Sequence, residues 1–369
     1  MSKTTNCARI LAFALAGSLC LPLAAREVKG AFDPQARAKE VAHVSSPVDC
    51  PEPPAAVVDI RIEEYYDKSY TKVDEQRRKK ADEAALPLTR YARQVTHLAD
   101  RILLQEEYRE DAAACVIGWL AKWAKGRAML GEVEGPLAEH HRKWTLVSIA
   151  LSYARAKAVI PEGRDHPVID AWLRDLVREM DRYYGKWQRA SWNNHVYWQG
   201  LAEAAVATAV GDERLLRKGL DKYRLGVDEI TDEGLLPKEV ARKEKALGYH
   251  IFSLAPLIMM AEIGERNGID LYGYRDGAIH RLVRTVAKGV ADPHTFEELV
   301  GGKPQELDKR RPGWNLAWAE PYLARFPDEK LERMLEPVRP VAHEWLGGNL
   351  TLQFATPDVA RTVKLQQPK

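Results

Sequence analysis

Between residue 58 and about residue 335 the apolar side chains recur every third or fourth position almost without interruption, which commits the chain to helices before any other property is weighed. Cys115, Trp119, Leu120 and Trp123 trace one such stripe. Further amphipathic stretches run from Lys143 to Ala158, Pro167 to Tyr184, His195 to Val210, Ala246 to Glu265 and Asp276 to Ala291. Pro161, Gly211, Gly234 and Gly268 punctuate them. The one strand-like run is Asn349 to Phe354. Ten or more helices without a clear linker predict a single all-α domain over 58–369, built of stacked helical hairpins. No strict internal repeat imposes a solenoid.

The N-terminus reads differently. Lys3 and Arg9 precede an apolar run from Ile10 to Leu23 and the small pair Ala24 and Ala25, the pattern of a cleaved secretory signal peptide over 1–25. Cys20 invites a lipoprotein reading, but Leu19 stands where a small residue belongs. Residues 26–57, rich in Pro, Ala and charge, read as an extended arm. No later segment is expected to supply the roughly 20 apolar residues of a bilayer span, so a soluble, unanchored, monomeric protein in the periplasm or medium is predicted. Without 1–25 the chain carries 53 basic and 53 acidic side chains. It has no global field for nucleic acid or anionic lipid, and any anionic ligand needs a local cluster. Cys50 and Cys115 are then the remaining thiols. In an exported protein they are expected to pair and tie the arm to a helix, two buried free thiols being the alternative.

Two segments carry polar residues that a helical scaffold does not need. Ser191-Trp192-Asn193-Asn194-His195-Val196-Tyr197-Trp198 places two asparagines where a helix can begin, projecting His195 and Trp198 from its first turn. The structural alternative is a capping Asn194 and a satisfied core histidine. Gly234-Leu235-Leu236-Pro237-Lys238-Glu239 leads into Arg242 and then Gly248-Tyr249-His250. Arg242 and Tyr249 are seven apart, two turns on one face of an α-helix, beside the apolar run Ile251 to Ala261. A cation there calls for an anionic partner, whether a ligand or an ion pair with Glu239.

Taken together, Trp-Asn-Asn-His-x-Tyr-Trp followed about fifty residues later by Gly-x-Leu-Pro-x-Glu-x-x-Arg and Tyr-His resembles the alginate lyases of polysaccharide lyase family 5. Arg142-Lys143-Trp144, Trp314 through Tyr322 and Arg339 through Asn349 resemble further blocks of that family. The resemblance implies an incomplete (α/α) toroid with a deep cleft, no cofactor, and an anionic polysaccharide as partner. It carries the catalytic roles to Asn194, His195, Arg242 and Tyr249. Tyr66, Lys68, Arg142, Trp198, Trp314 and Arg339 are the candidate substrate contacts.

Those residue types suit a β-elimination. Removing the C5 proton of a uronate sends charge into its carboxylate, and Asn194, Arg242 and His195 can donate hydrogen bonds to the resulting dianion. Tyr249 beside cationic Arg242 is expected to favour its ionised form, take that proton and return it to O4 on the same face. The alternative makes His195 the base and Tyr249 the acid. Mannuronate and glucuronate both present C5–H and O4 on one face, so tolerance of polyglucuronate and hyaluronan beside polymannuronate is expected. The segment Glu63 to Lys72 departs from the family's usual lid, another hint of relaxed specificity. Adjacent His140 and His141 cannot share a ligand site from one helix, so no metal is expected. Two rival classes remain: a toroidal glycoside hydrolase, which needs a carboxylate pair such as Glu239 and Glu320, and a non-catalytic polyuronate-binding protein, which has no use for Tyr249.

Overall fold

In a computed structural model of the protein, residues 27–66, 72–160, 166–308 and 311–364 are described; the leader call, Lys68 and Tyr70 lie outside them. The helices follow in chain order as α1 (Pro34–Val41), α2 (Glu75–Leu104), α3 (Arg109–Lys125), α4 (Pro136–Lys157), α5 (Pro167–Tyr184), α6 (Asn194–Val210), α7 (Glu213–Asp228), α8 (Pro237–Val240), α9 (Ala246–Arg266), α10 (Tyr274–Ala291) and α11 (Pro293–Leu299). Shorter ones complete the chain: α12 (Ala319–Arg325), α13 (Glu329–Leu335), α14 (Leu350–Phe354) and α15 (Pro357–Ala360).

The composition of each helix decides its layer. α5 and α7 each carry one apolar stripe, Ile169, Trp172, Leu173, Leu176 and Met180 in the first and Leu216, Leu220, Tyr223 and Val227 in the second. A single stripe fits an outer position with one face in solvent. α6 and α9 are apolar nearly all round and buried along their length, as inner helices are. Accordingly α2, α4, α6 and α9 pack side by side as an inner row, while α3, α5, α7 and α10 lie outside them. α9 touches α12, α12 touches α14, and α14 returns to α2, so short helices fill the sector that long hairpins leave open. The result is an incomplete (α/α) toroid. α6 and α7 cross so closely that a Cβ on Gly200 would stand 2.8 Å from the Gly219 carbonyl oxygen.

Several expectations are corrected. The arm is not wholly extended: Asp33 caps α1 and Arg37 donates to the Leu352 and Ala355 carbonyls, strapping the arm to the C-terminal segment. The run from Asn349 to Phe354 is helical after its first residue, because Asn349 caps α14 through the Leu352 amide. Among the described residues, strand is confined to two-residue pairs, Ile60–Arg61 parallel to Val133–Glu134 and Ala342–His343 antiparallel to Gly348–Asn349. The regular part of α10 begins at Ala278, since Arg275, Asp276 and Gly277 are left-handed. One stretch, 243–266, is after all long and apolar enough to cross a membrane, and its apolar window is 83% buried inside the protein. Cys50 and Cys115 are joined, tying the arm to α3 as expected.

Candidate active site

The first turn of α6 is built by a division of labour between two asparagines. Asn193 caps the helix, its side chain accepting from the His195 amide at 3.0 Å. Asn194 is therefore not the cap; it is fully buried and donates both its backbone and its side-chain N–H to Glu239 Oε1, each at 3.0 Å. Glu239, 1% exposed, sits on α8, and Arg242 Nε lies 3.5 Å from its other oxygen. One buried carboxylate thus bridges the amide and the guanidinium. Burial pushes the Glu239 carboxyl above its ordinary range, against the pull of Asn194 and Arg242. The Asn194 side-chain oxygen is buried without a hydrogen-bond partner among the described residues.

Arg242 and Tyr249 do not share one α-helix. The backbone between them passes through a left-handed Lys243 and a 3-10 turn before α9 begins at Ala246. They meet nonetheless, with the guanidinium carbon 4.9 Å from the centre of the Tyr249 ring. His250 anchors this corner: its Nδ1 pairs with the Ala246 carbonyl at 2.7 Å and its Nε2 accepts from the Leu236 amide at 2.9 Å. That contact fixes where α8, and with it Glu239, leaves the chain.

The charge state expected for Tyr249 is also corrected. Burial raises its pKa well above the ordinary phenol value, Tyr66 adds to that through its charge and a hydrogen bond, and nearby Arg242 only partly opposes them. Tyr66 pairs antiparallel with Val73, and Lys245 Nζ lies 4.9 Å over its ring.

His195 lies flat on His140, ring centres 3.6 Å apart and planes 14° apart, with Nδ1 buried and without a hydrogen-bond partner among the described residues. Burial, then Lys143 and Arg242, hold its pKa well below the usual imidazole range. Beneath the two rings, Lys143 is fully buried. Its ammonium donates to the Tyr184 hydroxyl at 2.7 Å and to the His195 carbonyl at 3.0 Å, and His140 Nδ1 pairs with the same hydroxyl at 2.7 Å. Sequence reasoning quoted Lys143 only within a motif and missed Tyr184 altogether.

The proposed substrate contacts divide. Tyr66 is at the site. Trp314 is half-buried, stacked on His343 at 4.1 Å with Arg311 4.4 Å over its other neighbourhood, beside a wall formed by Trp345 stacked on Trp144 at 4.2 Å. Trp198 is instead a core residue, 0% exposed, its indole N–H donating to the Phe252 carbonyl. Arg142 is 4% exposed and pairs with Glu139 at 2.5 Å. Arg339 is clamped by both oxygens of Glu320 and by Glu332, with Thr351 also donating to Glu320. Glu239 and Glu320 are each engaged by their own arginine, in separate networks. A cavity of about 560 Å³ lies elsewhere, between arm residues from Val28 to Gln35 and the ends of α4 and α6, and none of the four residues lines it.

The alginate lyase family profile matches residues 59–296. A polysaccharide lyase of Stenotrophomonas maltophilia is 36% identical over 87% of this chain and 95% of its own. An alginate lyase of Cobetia marina is 32% identical over 66% of each chain. Among solved structures, alginate lyase A1-III from Sphingomonas species A1 superposes with a TM-score of 0.69 at 22% identity, covering 88% of this chain and 95% of that one. With both sequence and fold agreeing, the chain belongs to the alginate lyase family.

Proposed function

We propose that this protein is an exported polysaccharide lyase that cleaves 1,4-linked polyuronates by β-elimination, with mannuronate-containing alginate as principal substrate and polyglucuronate and hyaluronan as further ones. The observation that carries the reading is the shared carboxylate of Glu239, which holds an amide and a guanidinium together, with the guanidinium carbon 4.9 Å from the centre of a phenol ring. Asn194 and Arg242 grip the C6 carboxylate where charge develops. Tyr249 removes the C5 proton, the C5–H electrons form the C4–C5 double bond, the C4–O4 bond breaks, and the proton returns to O4. Mannuronate and glucuronate differ only at C2, away from these bonds.

A second assignment of the base has its own support. The surroundings hold Tyr249 neutral, which suits an acid, and hold His195 neutral with a free buried nitrogen, which suits a base. The two assignments differ in pH dependence. With Tyr249 as base, kcat/KM keeps rising into the alkaline range as the phenol loses its proton; with His195 as base, it reaches a plateau above a low pKa.

The test is to mix the protein with polymannuronate, polyglucuronate and hyaluronan and follow ultraviolet absorbance. A lyase generates the conjugated double bond, a hydrolase gives reducing ends without absorbance, and a binding protein gives neither. Tyr249→Phe should abolish turnover and leave polymer binding largely intact; lost binding with residual turnover overturns the role given to Tyr249.

A further inference from the structure

Lys143 is the most costly group near the site that the reaction as written does not use. Burying an ammonium completely is expensive unless a carboxylate meets it. Its closest acid by sequence, Glu139 one turn earlier on α4, is paired with Arg142 instead. What Lys143 touches is the Tyr184 hydroxyl and the His195 carbonyl, with the Tyr184 ring 4.4 Å away. We propose that Lys143 is a positioning residue: its buried ammonium holds the first turn of α6 through the His195 carbonyl and, by way of Tyr184, sets the His140 ring on which the His195 imidazole lies.

The inference rests on the reading of His195 as part of the lyase site. The chain of donors is directional. Lys143 donates to the Tyr184 oxygen, the Tyr184 hydroxyl donates to His140 Nδ1, and His140 consequently carries its own proton on Nε2. A ring stack 3.6 Å apart tolerates at most one imidazolium, and a cation beneath it disfavours even that. From α4, Lys143 and His140 face His195, with His141 beside His140; from α5, Tyr184; after α8, Arg242, itself paired with Glu239. Burial is the first cause that keeps His195 unprotonated and Lys143 and Arg242 add to it, although burial also holds the Lys143 pKa well below the ordinary amine value; withdrawing Lys143 removes its share of that effect. The same withdrawal frees the His140 ring to turn.

The experiment is a nitrogen-15 histidine NMR titration of the full chain, with pH profiles of kcat and KM on polymannuronate. In Lys143→Met the His195 pKa rises by about one unit, the acid limb of kcat moves up with it, and kcat at neutral pH falls about tenfold with KM within about twofold. Tyr184→Phe keeps the ring but removes the relay; it tests the same point if Lys143→Met does not fold. In it His140 changes from a single Nε2–H tautomer to a mixture. Unchanged His195 titration and acid limb in a folded variant, with any loss of rate matched by loss of folded protein, overturn the proposal. The NMR readout needs no turnover, so a protein lacking lyase activity refutes the functional reading while the hold of Lys143 on His195 is still decided.

Discussion

Glu239→Gln isolates the role of the shared carboxylate. Glutamine keeps the shape and one acceptor oxygen, but each of the two Asn194 bonds changes from a charge-assisted bond of about 1.5–3 kcal/mol to a neutral one of about 1 kcal/mol. The attraction to Arg242 at 3.5 Å, about 5 kcal/mol gross at an effective dielectric of about 20, is also lost. Against this, the substitution relieves the desolvation of a carboxylate that is 1% exposed. Because burial outweighs those attractions in raising the carboxyl, the net change in folding stability at neutral pH should be small or slightly favourable. The cost in turnover is larger, because Arg242 and Asn194 no longer aim at the developing charge; kcat/KM should fall about 100-fold, as when one preorganised donor is lost. A pH signature accompanies both. Since burial raises the carboxyl above its ordinary 4.5, the folded state binds that proton more tightly than the unfolded one. Stability due to this group therefore falls as pH rises from about 4.5 through the raised folded value, and the variant lacks that slope. Chemical denaturation across pH, paired with the absorbance assay, measures both quantities. Wild-type kcat/KM in the variant, or an unchanged slope, refutes the bridging role.

Three further outcomes follow from the geometry. The Cys50–Cys115 link spans 65 residues, so Cys50→Ser with Cys115→Ala should cost about 4 kcal/mol in stability, read as a lower denaturation midpoint; a loss under about 1 kcal/mol contradicts a structural role. Trp198→Ala should cost about 3–5 kcal/mol by opening the core, whereas Trp314→Ala should leave the melting temperature nearly unchanged and raise KM; thermal melts and kinetics separate them. Tyr66→Phe removes a hydrogen bond that raises the Tyr249 pKa, so with Tyr249 as base the alkaline limb should move to lower pH, and a stationary limb favours His195.

Periodicity made the helical framework legible but not its two layers: α6 and α9 read as amphipathic stretches like α5, whereas they are apolar and buried nearly all round. Polar residues without a scaffold role marked Asn194, His195, Arg242 and Tyr249. What spacing misjudged was continuity: seven residues on a straight helix predict one face, but Lys243 turns left-handed, and Arg242 reaches Tyr249 around a corner. The ion pair of Arg242 with Glu239 entered as an alternative to function and turned out to be part of the same device. Trp198 and Arg339 had the right residue type for a sugar acid, but their partners come from other elements: the Phe252 carbonyl 54 residues on from Trp198, and the Glu320 and Glu332 carboxylates 19 and 7 residues before Arg339. No local pattern announces such partners. Lys143 was hidden for the same reason, since its meaning depends on α5 and α6.

The tight passage of α6 over α7 bears on engineering. Replacing glycine by alanine inside a helix is a routine route to thermostability, worth about 0.5–1 kcal/mol where space allows. At Gly200 the added methyl would meet the Gly219 oxygen and Lys222 Cβ, both at 2.8 Å. Gly200 lies five residues beyond His195 on the same rod, so relief by sliding would drag the reactive turn out of register with α8. Any stabilisation campaign should therefore treat this crossing as coupled to the position of the first turn of α6.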